Sequence, residues 1–176
     1  MKLLKYIISL IFILYFSIAI LPQDDDNQKP CSSSEANQFD FWIGEWKVEW
    51  QNTDSTKAEG TNVVTSILGS CVIEENFSGK PGVDFMGKSF SVYNPAKKLW
   101  QQTWVDDQGG YMVFTGGMEN DKMILSRRIS KDEQEIIQRM VFYNISKDEF
   151  DWNWESSTDD EVTWTLNWKL LYSKII

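Results

Sequence analysis

The sequence predicts an all-β fold: a single antiparallel up-and-down barrel of about ten strands, with a short N-terminal helical turn capping one end. Three observations predict it. Apolar and polar residues alternate with period two from Trp46 onward. Clusters of turn-forming residues break that alternation at intervals of roughly 10–15 residues. No segment carries a long apolar stripe at the spacing of an amphipathic helix. Strands joined in order by short turns favour a meander, and closing the meander removes its exposed edges. A two-sheet sandwich is the rival arrangement that the same pattern permits.

Residues 1–19 read as a secretory signal. Lys2 and Lys5 precede an apolar run from Tyr6 to Leu21, and Ser17-Ile18-Ala19 places small residues where a signal peptidase reads. The alternative is an uncleaved anchor, but the run is only ~15 residues long where a span needs about 20. Cys31 lies well past the apolar run, which argues against a lipoprotein. The expected location is secreted or periplasmic. Residues 23–36 are polar, so residues 20–36 read as a flexible lead-in, and residues 37–176 as the barrel domain. An exported chain with two cysteines, Cys31 and Cys71, is expected to join them in a disulfide.

Next comes Phe39-Asp40-Phe41-Trp42-Ile43-Gly44, whose aromatics do not alternate. A helical turn capping one barrel mouth and ended by Gly44 fits it. Trp46, Val48 and Trp50 then share one strand face, as do Ile73, Glu75 and Phe77. Trp100, Gln102 and Trp104 follow on another strand, then Met112, Phe114 and Met118, then Met123, Leu125, Arg127 and Ile129. The last two patterns are Phe150-Trp152-Trp154 and Val162-Trp164-Leu166-Trp168-Leu170. The turns between them are Asn94-Pro95, Asp107 to Gly110, Glu119 to Asp121, Lys131 to Glu133, Ser146 to Asp148 and Ser157 to Asp160.

Composition narrows the function. Nine Trp and ten Phe need a core to bury them. The chain has no His, which removes Ser-His-Asp and Cys-His catalysis and His-ligated zinc or haem. The formal charge of −9 becomes two more negative without residues 1–19, and there is no basic stripe. Nucleic-acid binding is not expected, and no membrane contact is expected after signal cleavage. No cofactor and no metal are expected. Calcium at Asp106-Asp107 or Asp159-Asp160-Glu161 is the alternative, but acids are ordinary in turns.

Polar residues flanked on their own face by large apolar ones are the candidate site, because burying them costs free energy. Glu75 sits between Ile73 and Phe77; Gln102 sits between Trp100 and Trp104, with Asp106 next; Arg127 sits between Leu125 and Ile129. On the following strand Gln138 or Arg139 faces inward, and the pattern does not choose. As a pocket lining, Arg127 would meet a ligand carboxylate and Glu75 or Asp106 a donor, with Trp104, Trp152 and Trp154 supplying stacking surface. The alternative is that Glu75 and Arg127 neutralise each other inside a filled barrel. An enzyme would use Glu75 and Asp106 as general acid and base, but no nucleophile with an adjacent base is apparent. The reading is a barrel that binds a small, partly apolar molecule; an enzyme or a filled structural barrel are the alternatives, and the oligomeric state is open.

Phe39-Asp40-Phe41-Trp42-Ile43-Gly44-Glu45-Trp46 resembles the opening of an uncharacterised bacterial domain family, Phe-Asp-Phe-Trp-(Ile/Val)-Gly-x-Trp. Gly69 to Glu75, Gly87-Lys88-Ser89, Tyr93-Asn94 and Leu99 to Asp106 resemble later segments of that family in the same order, and the resemblance covers most of residues 31–172. Gly44-Glu45-Trp46 is also similar to the Gly-x-Trp that opens the first strand of lipocalins and other calycin barrels, where the Trp closes the barrel floor. Calycin barrels also pack an Arg over that Trp. Nitrobindin-like barrels bind haem through His, a function this His-free chain does not inherit. Ser157 to Trp164 resembles the Asp-box hairpin, with Glu161 at the usual Gly position. That motif implies a stable hairpin and no chemistry.

Overall fold

In the computed structural model, which describes residues 30–175, ten antiparallel strands close into one barrel. The expected signal and most of the expected lead-in lie outside the described residues. The strands are β1 (Gly44–Gln51), β2 (Lys57–Ile67), β3 (Val72–Ser78), β4 (Met86–Asn94), β5 (Leu99–Asp106), β6 (Tyr111–Glu119), β7 (Lys122–Lys131), β8 (Gln134–Tyr143), β9 (Glu149–Ser157) and β10 (Thr165–Lys174). Each strand pairs with the next in sequence, and β10 pairs back to β1. Odd strands run away from the N-terminal segment and even strands return. The β1–β2, β3–β4, β5–β6, β7–β8 and β9–β10 turns therefore gather at the upper end.

The lower end has a floor. Two 3-10 turns, Glu35–Asn37 and Asp40–Trp42, lie across it, the first within the stretch expected as lead-in. Phe39 and Trp42 are fully buried and pack edge-on against Phe142, and Phe39 against Trp100. Such contacts add about 0.5–1.5 kcal/mol each beyond area burial. The Trp46 indole donates to the Trp42 carbonyl at 2.7 Å, and the Trp100 indole to the Glu35 carbonyl at 3.2 Å. The Lys174 ammonium lies 5.3 Å from the centre of the Trp46 ring. The Cys31–Cys71 disulfide forms as expected and ties this segment to the chain just before β3. Gly44 turns the chain from the floor into β1 at φ 151°, and a Cβ there would come within 2.8 Å of Lys174 Cε.

Alternation sets the inner face of most strands. Trp46, Val48 and Trp50 of β1 point inward, while Glu45, Lys47 and Glu49 are exposed or half-buried. Strand β4 inverts the pattern. Its buried residues are Gly87, Ser89 and Ser91, and its exposed ones include Met86, Phe90 and Val92. The inner positions have no room for more: a Cβ on Gly87 would fall inside the Trp104 indole. Strand β10 also departs from the expected single face. A register shift between Leu166 and Trp168 leaves Leu166 exposed while Trp168, Leu170 and Tyr172 face inward, and Val162 lies exposed in the preceding turn.

Candidate functional site

A cavity of about 180 Å³ runs up the barrel interior from the floor. Trp42 and Phe142 bound it below. Glu75, Phe114, Met140, Trp152, Leu170 and Tyr172 form its middle. Phe77, Phe85, Trp104, Met112, Trp154 and Trp168 surround its upper part. All of the upper six except Phe77 keep partial exposure, so the cavity meets solvent at the upper end. Ten of the fourteen lining residues are aromatic, and Glu75 alone among them can carry a charge near neutral pH.

Glu75 points inward from β3 because Ile73 and Phe77 on the same face do. Its neighbours across the sheet are small and polar. The Asn62 amide of β2 donates to one carboxyl oxygen at 2.7 Å, and the Ser89 hydroxyl of β4 donates to the other at 2.6 Å. The same Asn62 amide group donates to the Tyr172 hydroxyl at 3.2 Å. Burial raises the Glu75 carboxyl to about 7, against the lowering effect of those two hydrogen bonds. Burial, and then the Glu75 charge, push the Tyr172 phenol above its ordinary range. Glu75 is therefore poised between its two protonation states near neutral pH.

The other sequence candidates divide. Trp104, Trp152 and Trp154 line the cavity with Glu75; Gln102, Asp106 and Arg127 do not. Gln102 is buried and donates to Ser91 at 2.9 Å, and among the described residues its own carbonyl oxygen has no partner. Asp106 closes the β5–β6 turn. It accepts from the backbone of Gln108 and Gly110 and from the Trp104 indole. Desolvation raises its carboxyl, but those three donors outweigh it and the pKa ends below the ordinary value. Arg127 lies 5.4 Å over the Phe114 ring, and its guanidinium donates to Gln138 at 2.6 and 2.8 Å. Arg127 and Glu75 do not pair. Gln138 therefore takes the inward position, and Arg139 points outward, bound to Glu155 and 3.5 Å from the centre of the Trp164 ring.

Sequence reasoning missed Asn62, Ser89 and Tyr172. Ser89 and Ser91 alternate with Phe90 and Val92, a pattern that reads the serines as the outer face. Asn62 carried only its place between Gly60 and Val64. Trp42 was expected at the floor, but not as cavity wall with an indole N–H that lacks a partner among the described residues. Among the described residues, no group of three or more Cys, Asp or Glu is arranged to hold a metal ion.

No known family model matches this chain, and no curated protein matches it in sequence. The fold is a closed antiparallel β-barrel compatible with a lipocalin-like architecture.

Proposed function

We propose that the protein is an exported, calycin-like barrel that binds a small, largely apolar molecule inside its aromatic cavity. The observation that carries the reading is the cavity itself: about 180 Å³ of interior space with aromatic walls and one ionisable carboxyl. A few polar groups in an apolar concavity are how proteins orient small ligands. A volume near 150 Å³ accommodates benzene, so the ligand has the size of one substituted ring. The floor supports the calycin reading. Trp46 of the Gly-x-Trp triplet seals it, and Lys174 covers that Trp where calycins place an Arg. The same segment carries the proposed kinship with the Phe-Asp-Phe-Trp family. Export is supported by the disulfide, which an oxidising compartment maintains.

The first test is native mass spectrometry of the mature protein purified from its own host, with analysis of anything released on denaturation. A stoichiometric molecule of about one ring in size is the expected result. Bare protein that also fails to take up ethylbenzene or benzyl alcohol, followed by Trp fluorescence, would reject the binding reading in favour of a structural barrel.

A further inference from the structure

We propose that the ligand is a small organic cation, an ammonium on an aromatic body, with the charge held by Glu75 and the body caged by the indole and phenyl rings. This rests on the cavity binding a small molecule at all. Glu75 is almost fully buried, and among the described residues no Lys or Arg stands within ion-pairing distance of it. Its two hydrogen-bond donors are neutral and use two of the roughly four acceptor positions of a carboxylate. The cavity wall beside it is aromatic, the surface that attracts ammonium groups through ring quadrupoles. The chain's net charge of −9 draws cations toward the barrel rather than anions.

The groups around Glu75 favour that assignment. Asn62 on β2 and Ser89 on β4 are neutral, and Tyr172 on β10 is the titratable group that faces it. Asp40 on the floor turn and Asp106 at the end of β5 add negative charge. Arg127 on β7 is held near the upper end by Gln138 and Phe114, and Lys174 by the Ile43 carbonyl below the floor Trp. The indole N–H of Trp42, which has no partner among the described residues, is the wall group that would suit an anion instead, so an anionic probe belongs in the test.

A cation needs the ionised carboxylate. The empty protein holds the Glu75 proton up to about pH 7. Binding therefore strengthens as pH rises to that value and then levels off, and below it each ligand bound releases a proton.

The experiment is calorimetric titration of the mature protein with four probes of similar size: benzylamine, benzyl alcohol, ethylbenzene and phenylacetate. It is run at pH 6 and pH 8 on the native chain and on Glu75→Gln. At pH 8 benzylamine should bind at least about tenfold tighter than ethylbenzene. That advantage should shrink by about tenfold at pH 6, and Glu75→Gln should lose it while still binding ethylbenzene. Equal or tighter binding of benzyl alcohol, ethylbenzene or phenylacetate would overturn the cation and leave the cavity reading standing. An advantage that survives in Glu75→Gln, or does not change with pH, would also overturn it. If no probe binds at either pH, the cavity reading fails and the cation with it. Should Glu75→Gln not fold, the pH series on the native chain decides alone.

Discussion

Glu75 makes the barrel sensitive to pH, and the sign follows from its two titration points. The unfolded chain releases this proton near 4.5, the folded chain near 7. Between those values the folded state binds more protons than the unfolded state, so stability falls as pH rises. The loss is complete above about 7 and amounts to about 3 kcal/mol. Glu75→Gln has no proton to lose. Urea midpoints taken from pH 4.5 to 8 should therefore show the variant gaining on the native chain by about 3 kcal/mol. Parallel curves would mean that Glu75 titrates normally and that its burial is relieved in solution. The candidate itself was legible in sequence, since an acid between Ile73 and Phe77 on one strand face must be buried with them. Its partners were not legible. Asn62 and Ser89 reach it from the flanking strands β2 and β4, and Tyr172 of β10 stands behind Asn62; period-two alternation does not fix the strand register that sets these residues opposite one another.

At the scale of single elements, the β9–β10 hairpin tests the Asp-box resemblance. Asp159 accepts from the Thr163 backbone and hydroxyl and from the Ser157 hydroxyl, which lower its carboxyl to about 2. Ser157 in turn accepts from the Glu161 backbone. The hairpin is formed although the usual Gly is absent. Glu161 sits at φ 69°, a conformation that suits Gly and strains a side chain. Glu161→Gly should therefore raise stability by about 0.5–1 kcal/mol, read as a higher urea midpoint at unchanged slope. A fall would show that the Glu side chain contributes more than the backbone strain removes. Strand β4 shows the opposite limit of element-level reading. Phe90 and Val92 look like core residues, yet they face solvent. The inner row is taken by Gly87 beneath the Trp104 indole, and by Ser89 and Ser91 bonded to Glu75 and Gln102. Large neighbours on adjacent strands leave space only for small residues there, and small polar residues read as the outer face.

For the whole molecule, closure and the floor matter most. Ten strands paired in order leave no free edge for another chain to extend. Besides the chain's run into β1, the floor is cross-linked by the Cys31–Cys71 disulfide, across a separation of 40 residues. Chain-entropy reasoning assigns such a loop about 4 kcal/mol. Replacing both cysteines with Ser should lower unfolding stability by up to that amount, measured by urea titration. A loss below about 1 kcal/mol would mean that Phe39, Trp42 and Trp46 hold the floor by packing alone.

The sequence by itself determined the class of fold, the number of strands, the floor turn and the disulfide, because each is a local or pairwise property. Alternation, turn residues and a Cys pair do not depend on which strands meet. It also determined that charged groups would enter the barrel, since Glu75 and Arg127 share faces with large apolar residues. Only the tertiary structure decided their fates. The register of β2 and β4 sets Asn62 and Ser89 against Glu75, and barrel closure brings Tyr172 of β10 to Asn62; among the described residues the Glu75 carboxyl is hydrogen-bonded without a counter-ion, while Arg127 turns to Gln138 and Phe114. The cavity was decided there too. Empty space is what the summed volumes of inward side chains fail to fill, and that sum depends on how ten strands tilt and pack rather than on any one of them.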